Sequence, residues 1–105
     1  MANTFKNARA AATTGLATVY TVPAATTSIV LLAQATNVGS GAQGVTLCWY
    51  DGGVKTELVK LLSVPEKAAV GLIAGKLVLE AGDYLQVSAA AASAIELSVS
   101  VLEIT

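Results

Sequence analysis

The chain has 105 residues, of which 54% are apolar and only 12% are charged, and its formal net charge is −1. This length suits one domain, because two packed domains would each be too short to bury a sound core. The composition excludes a disordered chain, which is polar and highly charged, and it offers no basic surface for nucleic acid. Histidine is absent and Cys48 is the single cysteine, which excludes an intrachain disulfide and the common zinc sites.

Residues 1–14 are predicted to form an N-terminal arm or edge strand, and residues 15–105 a folded domain. Small residues surround Phe5, Lys6 and Arg9 in the first segment. This segment lacks the basic start and unbroken apolar run of a signal peptide, which is consistent with the expected synthesis in a cytoplasm. Further along, Pro23 and alternating threonines favour strands over a membrane helix. We therefore predict no membrane contact.

From residue 16 onward, apolar and polar residues alternate in short segments. In the clearest segment, 95–101, Ile95, Leu97 and Val99 point one way and the polar residues between them point the other way. Such alternation is typical of a strand with one face in the core and one face toward water. We predict strands at 16–22, 27–35, 45–50, 55–62, 76–80, 84–88 and 95–101.

Residues typical of turns separate these segments. Asp51-Gly52-Gly53 and Ala81-Gly82-Asp83 predict tight hairpins, and the glycine-rich segment 37–44 predicts a longer hairpin loop. Segment 63–66, Ser-Val-Pro-Glu, matches a helix capping box, so 67–74 is either a short helix or, as the neighbouring strands favour, a loop with a short strand. Strands about 8–12 residues apart indicate an all-β fold. We predict a single antiparallel β-sandwich, jelly-roll-like, with about seven or eight strands.

Three motifs suggest chemistry, and each also has a structural interpretation. Gly39-Ser40-Gly41-Ala42-Gln43-Gly44 fits the dinucleotide-binding pattern, but a strand follows it where that site needs a helix, which favours a flexible loop. Glu80 and Asp83 supply two carboxylates where calcium gathers about six to eight oxygen ligands, which favours solvated turn residues. Cys48 has no histidine to activate it, which favours a buried or sheet-surface thiol. We predict no catalytic residue, no metal, no cofactor and no enzyme activity.

Charge is unevenly distributed along the chain. The 41 positions of segment 10–50 contain no Asp, Glu, Lys or Arg. Because a monomer normally carries mixed charge over its surface, this neutral run predicts a surface covered by other protein chains. Trp49 and Tyr50 are adjacent in a strand, so one should anchor the core and the other should be exposed. Our candidate interface residues are Phe5, Trp49 and Tyr50, with ordinary cross-strand packing as the alternative for the aromatic pair.

Three parts of the sequence carry a family resemblance. They are 77–87, Leu-Val-Leu-Glu-Ala-Gly-Asp-Tyr-Leu-Gln-Val; 97–104, Leu-Ser-Val-Ser-Val-Leu-Glu-Ile; and the pair 19–23, Val-Tyr-Thr-Val-Pro, and 27–31, Thr-Ser-Ile-Val-Leu. In these parts the chain resembles the small β-rich structural proteins encoded in the virion gene clusters of tailed bacteriophages. The pair 19–23 and 27–31 is similar to the first hairpin of such proteins.

This resemblance implies a structural role in the virion, with no catalytic residue attached to it. We expect a capsid decoration (cement) protein on the capsid exterior, made in the host cytoplasm, that clamps neighbouring copies of the major capsid protein and stabilises the head. No nucleic acid partner is expected. Self-association as a homotrimer would suit the threefold positions of a capsid lattice. The alternatives are a neck or tail component of the virion and a carbohydrate-binding module that uses Trp49 or Tyr50.

Overall fold

The computed structural model describes residues 2–105, and within them every regular element is a β-strand. All strand pairs are antiparallel. The strands are β1 (Asn3–Ala11), β2 (Ala17–Thr21), β3 (Thr27–Asn37), β4 (Gln43–Asp51), β5 (Val54–Val64), β6 (Ala69–Gly71), β7 (Leu77–Leu79), β8 (Tyr84–Ala89) and β9 (Ile95–Ile104). No helix in the described part of the chain is long and apolar enough to cross a membrane.

The strands form two sheets that pack face to face. Sheet A has the order β1-β9-β3, and the short strands β6 and β7 both pair with the remaining edge of β3. Sheet B has the order β2-β8-β4-β5. Because β6 and β7 lie end to end, each sheet has four strand positions, as in a double-sheet jelly roll. The predicted all-β antiparallel sandwich is therefore confirmed, and the short strand predicted within 67–74 is β6.

Of the four predicted hairpins, the one at 51–53 is present, and the three predicted after β2, β3 and β7 are absent. Gly52 and Gly53 both have positive φ, of 60° and 84°, and join β4 to β5 in a two-residue hairpin, as this turn type requires. The connections after β2, β3 and β7 instead lead from one sheet to the other. The prediction failed because an alternating pattern reports that one face of a strand is buried, and not which sheet the strand joins.

The core lies between the two sheets and consists of small and branched side chains. The alternating positions of β9 supply Ile95, Leu97, Val99 and Val101, each at most 1% exposed. From the facing sheet, β4 and β8 supply four large and fully buried side chains. These are Val45, Leu47, Leu85 and Val87. Dense packing of branched aliphatic residues makes a rigid sandwich with few aromatic side chains.

Strand β1 is the edge strand of sheet A and pairs with β9 along its whole length, from Asn3 opposite Ile104 to Ala11 opposite Glu96. Its first five side chains are exposed, while Ala8 and Ala10 pack against the core. Met1, the first residue of the predicted arm, lies outside the described residues. Backbone hydrogen bonds, more than apolar burial, therefore hold the beginning of this strand in place.

Candidate functional site

The outer face of sheet A is a nearly charge-free surface with an apolar row across four strands. Phe5 lies opposite Leu102, Leu102 opposite Ile29, and Ile29 opposite Val78. Phe5 is 74% exposed and Val78 is 55% exposed. The next row contains a β-bulge at which Leu31 and Leu32, both exposed, project beside Ser100. Cross-strand neighbours about 4.5–5.5 Å apart form one continuous surface, so this end of the face is an apolar patch.

The opposite end of the same face is polar. There Arg9 lies opposite Ser98, which pairs with Gln34, and in the last row Glu96 pairs with Thr36. Arg9 and Glu96 are the charged side chains in the paired rows of this outer face, as far as the structure describes them. The paired rows of this outer face therefore balance one positive against one negative charge.

The outer face of sheet B is polar and carries more charge. Lys55 lies opposite Tyr50, Glu57 lies opposite Cys48, and Lys60 Nζ lies 3.6 Å from Glu57 Oε1. The ring of Tyr50 stacks on that of Tyr84 in the neighbouring strand, with centroids 4.6 Å apart and planes 9° from parallel. Both sheets have exposed aliphatic side chains, with Val54 and Leu61 on sheet B, but the ionised groups of β5 make the outer side of sheet B the more charged of the two.

The three predicted interface residues lie in three different environments. Phe5 projects from the outer face of sheet A. Trp49 faces inward, packs against the core, and donates its indole N–H to Asp83 Oδ2 at 3.3 Å. Tyr50 faces outward and is half-buried by its stack on Tyr84. Trp49 and Tyr50 point to opposite faces of sheet B, as predicted, but neither side chain is fully exposed. Phe5 lies on the other sheet, away from both of them.

A partly buried polar network links the two sheets at one end of the sandwich. The hydroxyl of Tyr20, on β2 of sheet B, lies 2.6 Å from Ser28 Oγ on β3 and 2.6 Å from Glu103 Oε2 on β9. Lys6 Nζ on β1 lies 3.0 Å from Glu103 Oε1. The carboxylate of Glu103 therefore has a partner on each oxygen, as a buried charge requires.

The network lowers the pKa of Glu103 and raises the pKa of Tyr20. The hydrogen bond from Tyr20 lowers the pKa of Glu103; burial opposes this, and Lys6 supports it. Burial, together with the hydrogen bond to Glu103, raises the pKa of Tyr20 to about 12. At neutral pH the network therefore contains an ionised Glu103 and a protonated Tyr20.

Three carboxylates converge where the hairpin tip of sheet B meets the turn before β8. Carboxylate oxygens of Asp51, Glu80 and Asp83 all lie within 4.8 Å of one another. Asp83 is 3% exposed, and its Oδ2 accepts hydrogen bonds from the backbone N–H of Glu80 and from Trp49. Asp83 therefore fixes the turn, in contrast to the solvated residue predicted. Asp51, predicted to serve only its own turn, lies beside this pair.

Cys48 and the glycine-rich segment have structural surroundings. Cys48 is 0% exposed, and burial raises the pKa of its thiol, which keeps it protonated at neutral pH. The glycine segment is a loop that continues into β4 without a helix. Asn37 holds this loop by donating to the carbonyl oxygens of Gly41 and Val64 and accepting from the N–H of Gly39.

Sequence reasoning missed the inter-sheet network and the apolar row. One signal for the network was present: the alternation that buries Val99 and Val101 also places Glu103 on the core face. The row of Phe5, Leu102, Ile29 and Val78 had no such signal, because it depends on the register between strands far apart in the sequence.

Comparison with known proteins supports the fold class. No protein-family model matches the sequence, and a search of curated proteins gave no match. A solved structure from work on Bacillus endospore appendages, described there as a novel family of disulfide-linked pili, is similar in fold, with a TM-score of 0.59. The sequences are 16% identical, and the alignment covers 97% of this chain and 84% of that chain. At this identity the likeness concerns the β-sandwich alone.

Proposed function

We propose that this chain is a structural protein of a phage virion, a decoration protein that binds neighbouring major capsid subunits on the capsid exterior and stabilises the head. The observation that carries the proposal is the exposure of much of the neutral segment 10–50. Residues 13–18, 23–25 and 40–42 are exposed. The segment lacks charge without being confined to the core, so its neutral surface is available to other chains.

Such a protein would act by contact alone. A rigid sandwich that touches two or more capsid subunits connects them, and many copies on one shell would add their weak contacts through multivalency. A standard-size contact buries roughly 800 Å² on each partner, which an uncharged surface can supply at a low cost of desolvation. The threefold self-association predicted from the sequence remains part of this proposal.

The test is to add the purified chain to capsids that lack it and to measure binding and the temperature of shell disruption. We expect binding at a high, fixed copy number and a higher disruption temperature. Thr14→Lys places a charge in the exposed neutral stretch 13–18 and should weaken binding, whereas Thr56→Lys, at an exposed threonine on β5, should not. Capsids that neither bind the chain nor gain stability would reject the decoration role. A copy number of about a dozen or fewer would favour a neck or tail component.

A second candidate is a subunit of a protein filament, which the fold of the endospore appendage protein favours. Filaments form when a head-to-tail contact repeats without closing. Disulfide links of the kind named for that neighbour would need an accessible cysteine, and Cys48 is fully buried. A filament of this chain would therefore be held by noncovalent contacts. Electron microscopy of the concentrated chain distinguishes filaments from discrete particles.

The carbohydrate-binding alternative has less structural support. A sugar platform needs an aromatic ring face open to solvent. Trp49 faces inward and the ring of Tyr50 stacks on Tyr84. Glycan binding that disappears in Tyr50→Ala would nevertheless revive this alternative.

A further inference from the structure

We infer that two copies of this chain pack face to face through the outer faces of their A sheets, forming an isologous pair related by a twofold axis. The inference rests on this surface and does not depend on the proposed decoration role. Three properties of the surface support it: an apolar patch, a balance of charge, and an extent that matches a stable interface.

The apolar patch is the first property. It consists of seven outward-facing side chains, Phe5, Ile29, Leu31, Leu32, Val78, Leu102 and Ile104. Four of them, on β1, β3 and β7, are more than a third exposed. Monomeric proteins rarely leave a continuous apolar surface of this kind open to water, and such patches are typical of protein contacts. Sheet faces can cover each other in this way, with aligned strands and interdigitating side chains.

The balance of charge indicates a second copy as the occupant. In an isologous contact the same surface lies on both sides, so a face with excess charge of one sign would repel itself. The outer face of sheet A has Arg9 and Glu96 at its polar end, and the remaining paired positions of its rows are uncharged. The paired rows of this face therefore meet those of a second copy without net repulsion. The outer face of sheet B, with Lys55 and Lys60 around Glu57, is less suited to self-contact.

The extent of the face is the third property. Four strand positions about 4.8 Å apart and the length of β9 at about 3.4 Å per residue give a projected area of roughly 650 Å². Side-chain relief increases the accessible area above this figure. A stable interface buries roughly 800 Å² on each partner. One face of this sheet is therefore large enough for a dimer contact without help from another surface.

Sedimentation of the purified chain with two matched valine variants tests the pair. Val78→Lys places a charge in the apolar row, and Val54→Lys places the same charge on β5, where Val54 is 67% exposed. We expect an even-numbered species at about 100 µM, a hexamer if the proposed threefold association also forms and a dimer if it does not. A dilution series through a Kd of about 1 µM then measures the pairing of each variant. Val78→Lys should weaken pairing at least about tenfold, because each pair contains the change twice. Val54→Lys should sediment like the wild type.

A monomer or an odd-numbered trimer of the wild type would overturn the pair, and so would equal behaviour of the two valine variants. Phe5→Lys serves as a second probe of the same row if circular dichroism shows that Val78→Lys is unfolded. These measurements use the purified chain without capsids. Failure of the pair therefore leaves the decoration proposal standing, and failure of capsid binding leaves the pair standing.

Two cysteine variants distinguish the twofold arrangement from a head-to-tail contact. Ser100 lies in the middle row of the outer face of sheet A, and Ser88 lies on the outer face of sheet B. Under mild oxidation Ser100→Cys should form a disulfide between two copies, because residues near a twofold axis meet their own counterparts. Ser88→Cys should remain unlinked, and the buried Cys48 should not contribute. Equal linking of both variants, or none in Ser100→Cys, would contradict the twofold pair.

Discussion

The hydroxyl of Tyr20 donates a hydrogen bond of 2.6 Å to Glu103 Oε2, and the two residues belong to different sheets. Most of the contact between the sheets is apolar packing, which fixes distance but permits small sliding movements. A short hydrogen bond to a carboxylate is directional and about twice as strong as one between neutral groups. Because Lys6 binds the other oxygen of Glu103, the same carboxylate also secures the beginning of β1.

We predict that Tyr20→Phe destabilises the protein by about 2 kcal/mol, the range for a lost hydrogen bond to a charged group. The substitution removes one partner of a carboxylate that is only 5% exposed and leaves the aromatic ring in place. Urea unfolding measures the change. Tyr50→Phe is the matched control, because it preserves the stack on Tyr84 and should change the unfolding free energy by less than about 0.5 kcal/mol. Equal effects of the two substitutions would show that the Tyr20–Glu103 bond contributes nothing.

Acid pH should weaken the same network. The folded-state pKa of Glu103 lies below the ordinary value of 4.5, so the folded chain binds a proton at this site less readily than the unfolded chain. The stabilisation is therefore fully present above the ordinary pKa and is lost as the pH falls through the lower, folded-state pKa. Unfolding free energies of the wild type and Glu103→Gln, measured from neutral pH downward, should differ by a constant amount and then converge. A difference that stays constant to the lowest pH would contradict the assignment.

The alternation of residues made the strands predictable, because the packing of each strand follows from its own sequence. Ile95, Leu97 and Val99 are buried, as their spacing indicates. The sheet that each strand joins was not predictable, because Pro23 and Gly82 mark turns equally well within a sheet and between two sheets. The apolar row beginning at Phe5 was hidden for a related reason: its members come from four strands, and their register is set by packing over the whole chain.

Cys48 should be unreactive in the folded protein. Its side chain is fully buried and its thiol has a raised pKa, so both access and the thiolate fraction are low. A thiol reagent should modify less than about a tenth of the chains in native buffer and all of them in denaturant. Ser63→Cys, an exposed position on β5 of sheet B, provides the positive control and should react at once. Rapid modification of native wild-type Cys48 would show that sheet B opens locally at this position.

Substitution by glycine should destabilise the protein less at Leu61 than at the neighbouring Leu62. Its φ is 51°, and its backbone N–H donates to Thr46 Oγ1 at 3.0 Å within a bulge of β5. This left-handed conformation costs a leucine about 1 kcal/mol or more and costs glycine almost nothing. Because Leu61 is 67% exposed, its side chain also contributes little burial. Leu61→Gly should therefore change the unfolding free energy by less than about 0.5 kcal/mol, since relief of strain offsets the greater entropy of the unfolded chain.

Leu62→Gly is the matched comparison for this prediction. Leu62 pairs with Val45, is 37% exposed, and is not among the residues with positive φ. It loses burial and gains unfolded-state entropy with no relief of strain, so we expect a cost of about 1–2 kcal/mol. Thermal and urea unfolding of the two variants give the comparison directly. If Leu61→Gly is as damaging as Leu62→Gly, the bulge does not hold Leu61 in a strained conformation, and its exposed side chain must be stabilising the fold through contacts with its neighbours.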